Sequence, residues 1–472
     1  EDAAQNLINI QERLEREAEW KESGKEFAPV TTTEELAATN AFSTFSLNVS
    51  DVAFKLAQSA LMKGEWPEPE KMRVEEFVNA LDYGDPAPAA GEKVTCRTEQ
   101  CAHPFMQQRN LLRIAMRTAA VGREGGQPLR LTILLDNSGS MQREDREASV
   151  RRAMEVLAGQ LQPNDQVSLI GFARTPRLLA DRVSGSDGGK LLAAVDDAPS
   201  EGGTNLEEAM RLAAEVAQRQ YDDGAVNRIV LMTDGAANLG NADPEELATR
   251  VVELRQKGIA FDACGVGAKG LNDEVLEALT RKGDGRYYFL DAPEQADSGF
   301  ASQLAGALRP AAKNVKVQVV FNPERVGAYR LIGYEKHRLK KEDFRNDAVD
   351  AAEMAAEETG VAVYQIEPMA DGSGDVGEVH VRFQDVASGR MIEHHWIIPY
   401  EANAPTIEGA KPSIQLAGVA AMLGEYLRGG PEASNVDLDV LSSLAPGLRS
   451  AYGDNVRVNQ LIGMIRDAQM AK

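Results

Sequence analysis

The 472-residue sequence is short of several things, and each shortage removes a class of answer. It has only three cysteines and five histidines, and no grouping of them has the spacing of a zinc site. No run approaches the roughly 20 consecutive apolar residues that cross a bilayer as a helix, so no transmembrane segment is expected. Positive charge is scarce. The 51 Lys and Arg stand against 73 Asp and Glu, a formal net charge of −22 that would repel phosphate and argues against nucleic-acid binding. No repeat with a period of roughly 20–50 residues is visible, which excludes a solenoid or propeller. What is present, 43% hydrophobic and 26% charged residues, is a soluble, globular composition. A chain this long exceeds one ordinary core, so roughly two or three domains are expected. It begins at Glu1 rather than Met, which fits removal of a leader. Cys96 and Cys101 lie in "VTCRTEQCAHPF", a polar, loop-like stretch. A short disulfide in an oxidising compartment and two reduced thiols fit it equally well. Cys264, in "FDACGVG", reads as a small buried hydrophobe.

Five stretches follow one another. Residues 1–40 form an amino-terminal helix or linker, with "NLINIQERLEREAEW" an exposed or partner-dependent helix. Residues 41–128 are mixed, with a strand at "TFSLNVS", helices at "DVAFKLAQSALMKG" and "VEEFVNALDYG", and a Pro/Gly loop at "GDPAPAAGEK". Residues 129–308 alternate strand and helix, with strands at 129–136, 165–173, 227–234, 260–267 and 285–290. Helical spacing joins Val150, Met154, Leu157 and Leu161, and again Leu206, Met210, Ala213 and Ala217. A further helix opens on Asp243 as cap, with Pro244 and Glu246 in its first turn. Near-continuous apolar strands between helices imply a parallel sheet covered on both faces. Residues 309–400 return to strands, among them "NVKVQVVF", "GVAVYQIEP", "VGEVHVRFQD" and "MIEHHWIIPY", and 401–472 form a helical tail. Neither flank alone reads as a complete sheet. The expected fold class is therefore α/β: a doubly wound, mostly parallel sheet, inserted into a second β-rich domain built from the flanks, with a helical carboxy-terminus.

The chemistry concentrates at "LTILLDNSGSM", where a buried strand ends in a carboxylate and two hydroxyls. In a doubly wound sheet ligands bind beyond the carboxyl ends of the strands. Asp136 ends one strand there and Asp234 ends "IVLMTDG" likewise, while Thr204 in "EGGTNLEEAM" precedes a helix on the same edge. Asp136, Ser138, Ser140, Thr204 and Asp234 together offer hard oxygens, which suit Mg²⁺ or Mn²⁺. The hydroxyls add ligands without adding negative charge, so such a metal stays electrophilic. A position then remains for an acidic side chain from a partner.

At these five residues the chain resembles the von Willebrand factor type A family, whose metal-ion-dependent adhesion site reads D-x-S-x-S, then Thr, then Asp. The resemblance implies direct coordination by Ser138, Ser140 and sometimes Thr204, with Asp136 and Asp234 acting mainly through waters. It extends into the flanks. "STFSLNVSDVAF", "RVEEFVNALDYGDPAP" and "LLRIAM" resemble the amino-terminal segment of bacterial envelope proteins with a central A domain, and "RVGAYRLIGYEKHRLKKEDFRNDAVDAAEM" resembles their carboxy-terminal module. The family's "GAGHTVTALYE"-like run stands here as "AAEETGVAVYQ", without its histidine, so no role for that histidine carries over. Tyr334 and Glu335 are shared but carry no assigned role.

Other motifs read as structure. "DNSGS" lacks the G-x-S-x-G of a nucleophile elbow, and His103, His337, His380, His394 and His395 all fall outside the α/β stretch, so the chain is read as a non-enzyme. "GVGAKG" is followed by a helix only near Asn272 and does not open the first strand–helix unit, so it is a turn rather than a dinucleotide fingerprint. "DGSGDVGE" lacks the spacing of a calcium loop and reads as a hairpin turn. His394 and His395 alternate across a strand and cannot face one metal together. The resulting expectation is a metal-dependent adhesion or scaffold protein of the bacterial envelope. It would be extracytoplasmic, with room for a lipid anchor upstream. The alternative is an accessory subunit of an ATP-driven AAA+ or chelatase-type assembly.

Overall fold

A computed structural model describes residues 34–120, 127–198, 203, 205–235, 244–268, 270–291, 310–349, 351–386, 388–429 and 432–471. The amino-terminal flank supplies β1 (Glu35–Leu36), β2 (Phe42–Ser46), α1 (Val52–Met62), α2 (Val74–Asn79), β3 (Val94–Ala102) and β4 (Asn110–Thr118). The centre runs β5 (Leu129–Asp136), α3 (Glu144–Gln160), β6 (Gln166–Phe172), β7 (Arg177–Ser184), α4 (Gly188–Asp196) and α5 (Leu206–Arg219). It continues with β8 (Val226–Thr233), α6 (Pro244–Gln256), β9 (Ile259–Val266), α7 (Asp273–Lys282) and β10 (Tyr287–Leu290). Strands β11 (Pro310–Phe321), β12 (Val326–Ile332), β13 (Arg338–Leu339), β14 (Ala352–Ala355), β15 (Thr359–Pro368), β16 (Gly377–Asp385) and β17 (Met391–Ile398) follow. Helices α8 (Pro412–Arg428), α9 (Leu438–Ser443), α10 (Ala445–Tyr452) and α11 (Val456–Met470) complete the chain. The helix expected within residues 1–40 and the cap at Asp243 lie outside the described residues.

The central sheet has the order β10-β9-β8-β5-β6-β7. Every neighbouring pair is parallel except the edge pair β6–β7. Strands β8 and β9 are buried at every position. That follows from their apolar runs, which bury side chains on both faces. Successive residues of β5 point to opposite sides: Leu131, Ile133 and Leu135 belong to the same core as Val150, Met154 and Leu157 of α3, whereas Leu134 belongs to the core on the other face, with Met210, Leu247 and Leu276 of α5, α6 and α7. The chain passes from β5 to β6 on one side and returns to β8 on the other, so the carboxyl end of β5 is a topological switch point. Strand β7 escaped the hydrophobic pattern because it is an edge strand, exposed or half-buried throughout.

The two flanks share their sheets. One has the order β1-β12-β15-β4-β3 and the other β13-β2-β11-β16-β17, with β14 on β11. Strand β4 pairs with β15, and β2 with β11, across more than 240 residues of chain. Phe45, Leu112, Ile114, Val317, Val319, Tyr329, Tyr364 and Phe383 form the core between the sheets. The tail returns through α8, whose Leu416, Val419 and Leu423 are fully buried against α2 and β4. No helix among the described residues is long and apolar enough to cross a membrane.

Two local expectations change. "VTCRTEQCA" is strand β3, not a loop, and Cys96 and Cys101, five residues apart, point to opposite faces as free thiols. That geometry removes the disulfide alternative, and burial pushes both thiols up to about 12, leaving them inert. "DGSGDVGE" is no hairpin. Strands β15 and β16 each have both edges taken in different sheets, so the segment crosses between sheets.

Candidate functional site

Strand β5 ends on Asp136, which is level with Phe172 of β6, while Leu135 is level with Met232 of β8. Asp234 follows directly on β8, so both carboxylates leave the sheet at one edge. Asp136 is 1% exposed. Its Oδ1 accepts the Ser138 backbone N–H at 2.9 Å, and its Oδ2 accepts the Thr233 hydroxyl at 2.6 Å. After Asp136 the chain makes a short turn over Gly139–Gln142, pinned by buried Met141. The turn brings the Ser138 and Ser140 hydroxyls to 3.0 Å from each other.

Asp234 is fully buried, and its Oδ2 accepts the Arg146 guanidinium from the first turn of α3. The same Nη1 donates to the Ser140 carbonyl at 3.0 Å, which ties the serine turn to the second aspartate. Burial raises the Asp136 carboxyl above its ordinary range; the Asp234 charge adds to this, while the bonds from Thr233 and Ser138 oppose it. Beyond Asp234 the backbone turns through Gly235, at φ +62°, whose N–H donates to Thr233 Oγ1 at 3.1 Å. A Cβ there would lie 2.6 Å from the Asn272 nitrogen, so only glycine fits. A groove of about 410 Å³ runs beside Asp136 and Ser138, lined also by Glu144, Glu147 and Asp196.

Four of the five expected side chains, Asp136, Ser138, Ser140 and Asp234, thus share one corner of the sheet edge. Thr204 lies outside the described residues. Among the described residues no three His, Cys, Asp or Glu side chains gather as a metal cage. Any cation here would depend on the hydroxyls, and a donor set of hydroxyls and carboxylates fits a hard dication. Pattern reading missed Thr233 and Arg146. The first is a hydroxyl at the end of an apolar strand. The second is a cation in a helix's first turn, where the dipole disfavours it.

The "GVGAKG" turn behaves as expected. Gly267 and Gly270 have positive φ, and α7 starts at Asp273 with the Asn272 side chain accepting from the Val275 N–H.

The sequence matches the von Willebrand factor type A domain family over residues 131–302. Residues 22–113 match the von Willebrand factor family, and residues 306–470 the carboxy-terminal module of the protein YfbK. YfbK of Escherichia coli (strain K12) is 32% identical over 326 residues, covering 68% of this chain and 57% of that relative. The chain therefore spans little more than half of the relative's length. A Synechocystis sp. protein is 23% identical over 287 residues, covering 59% of this chain and 67% of its own. A solved structure, von Willebrand factor type A from Catenulispora acidiphila, aligns over 82% of this chain and 91% of that one, with a TM-score of 0.50 at 14% identity, a likeness of fold. The chain is a von Willebrand factor type A domain protein, its α/β domain set between the two companion modules that its flanks match.

Proposed function

We propose that this chain is a non-enzymatic, metal-dependent protein-binding protein, an adhesion or scaffold component of the cell envelope. Asp136, Ser138, Ser140, Thr204 and Asp234 would hold Mg²⁺ or Mn²⁺, and the metal would supply a Lewis-acidic position for an acidic side chain of a partner protein. One observation carries this reading: two hydroxyls 3.0 Å apart stand beside two buried carboxylates at the switch point of a parallel sheet. The chain's own part is positioning. Thr233 and the Ser138 N–H hold both oxygens of Asp136, and the tight serine turn aims both hydroxyls the same way. An extracytoplasmic location belongs to the same proposal.

Isothermal titration tests it. The wild type is expected to bind Mg²⁺ or Mn²⁺, and Asp136→Ala to lose that binding while keeping its far-UV circular dichroism. Equal affinity in the variant would overturn the metal site. A pull-down with and without chelator tests the partner, which should be released with the metal.

A further inference from the structure

The metal reading leaves Arg146 unexplained. It is the third residue of α3, where the helix end is itself positive, and it is 4% exposed. A cation at a helix amino-terminus is unfavourable even when exposed, and a buried guanidinium needs a partner. Glu144, Asp145 and Glu147 surround it in the sequence of that turn, yet its Nη1 reaches away from the helix to Asp234 and to the Ser140 carbonyl. The fold makes room for it there. Gly267, at φ +78°, passes so close that a Cβ would lie 2.8 Å from Arg146 Nε. A residue that departs from local preference and has its space kept clear by a glycine is placed for the site rather than for the helix.

We propose that Arg146 is an internal cation that shares Asp234 with the divalent metal and holds the metal affinity of the site down. The inference rests on the metal reading above. Asp136 and Asp234 carry two negative charges and Arg146 one positive, so these three buried side chains together present a net −1 rather than −2 to a dication. One oxygen of Asp234 is already engaged. Loading a dication then leaves that buried trio with its ion at net +1, which one carboxylate from a partner offsets. Without a divalent ion the guanidinium offsets the buried charge of Asp234, whose carboxylate would otherwise stand uncompensated near that of Asp136.

Mn²⁺ is titrated into wild type, Arg146→Gln, Arg146→Lys and Asp136→Ala, with free ion read by electron paramagnetic resonance. Melting temperatures are measured in chelator and in excess Mg²⁺. Arg146→Gln should bind Mn²⁺ tenfold or more tightly than wild type, and Arg146→Lys, which keeps the charge, within threefold of wild type. In chelator Arg146→Gln should melt lower, with a larger recovery on adding Mg²⁺. Unchanged or weaker Mn²⁺ binding by Arg146→Gln, with binding still lost in Asp136→Ala, would overturn the shared-cation role and leave the metal site standing. No Mn²⁺ binding by wild type or by Arg146→Gln would remove both. If Arg146→Gln does not fold, the side-chain Nε–H resonance of Arg146 in the wild type, assigned by its loss in Arg146→Lys, decides the matter. It should shift on adding Mg²⁺, and a resonance that stays put would overturn the inference.

Discussion

At the joint between the central sheet and the flanking strands, three cations face three anions; at the carboxyl edge of the same sheet, two carboxylates face one guanidinium. In the joint, Arg228 of β8 donates Nε and Nη2 to the two oxygens of Asp262 at 2.7 and 2.8 Å, and Nη1 to Glu353 of β14 at 3.0 Å. Arg286 forks onto Glu358 at 2.6 and 2.7 Å, and Lys313 reaches Glu353 at 3.2 Å. Every charge there has a counterpart on the other unit or the neighbouring strand. At the edge, the buried Asp136 and Asp234 outnumber the buried Arg146 by one charge. Burial alone does not mark a site, since both clusters are buried. What separates them is whether the cluster is neutral by itself or keeps a negative charge in excess.

The sharpest way to break the comparison is to open the closed cluster. Arg228→Met would leave Asp262 and Glu353 buried with a large part of their compensation gone. A loss of about 3–5 kcal/mol is expected, read from urea unfolding. Mg²⁺ affinity at the far edge of the sheet should be unaltered. A loss below about 1 kcal/mol would mean that water already reaches the joint.

Two buried glutamates sharpen the same contrast through pH. Glu353 is held below the ordinary carboxylate range: burial alone would raise it, and the Lys313 and Arg228 charges more than reverse that. Glu75 of α2 is 2% exposed, and burial, then the charges of Glu335 and Glu76, push it up to about 7. Its Oε2 has no hydrogen-bond partner among the described residues. Because its folded value lies above its ordinary value of 4.5, the folded state binds more protons between those two limits. The Glu75 contribution is then full below about pH 4.5 and is lost as pH rises through 7. Glu75→Gln should flatten that slope and stabilise the protein at pH 8 on the order of 1–3 kcal/mol. Chemical unfolding at pH 5 and pH 8 checks it; an unchanged difference between the two would assign the slope to other groups.

What was legible in the chain follows the same division between local pattern and distant pairing. Apolar runs ending in Asp136 and Asp234 are local signals, and the wound sheet follows from runs buried on both faces. Strands β3 and β7 were not legible, because "TCRTEQC" and "RLLADRVS" alternate or expose their side chains and lack a continuous apolar run. The interleaving of the flanks could be inferred only from the incompleteness of each half. The pairings that fix it, such as Thr359 with Arg117, span the whole inserted domain. Arg146 and Asp234 are 88 positions apart, and Arg228 and Glu353 are 125 apart. A sequence shows a cation in an unfavourable place; only the fold shows what it answers.

Thr233 offers the smallest and most specific test, because it touches the site without carrying charge. Its hydroxyl donates to Asp136 Oδ2 at 2.6 Å and accepts from the Gly235 N–H at 3.1 Å, so it holds the first aspartate and the turn after the second strand together. Thr233→Val keeps the β-branched shape and removes both bonds. Stability should fall by about 1 kcal/mol, the usual worth of such hydrogen bonds. Mg²⁺ affinity should fall roughly ten- to hundredfold, as when a group orienting a metal ligand is lost. The two variants should therefore dissociate: Arg228→Met weakens the fold and spares the metal, while Thr233→Val barely touches the fold and weakens the metal. Thr233→Val with Mg²⁺ affinity within about twofold of wild type would mean that strand register alone aims Asp136, and that the edge is as self-sufficient as the joint.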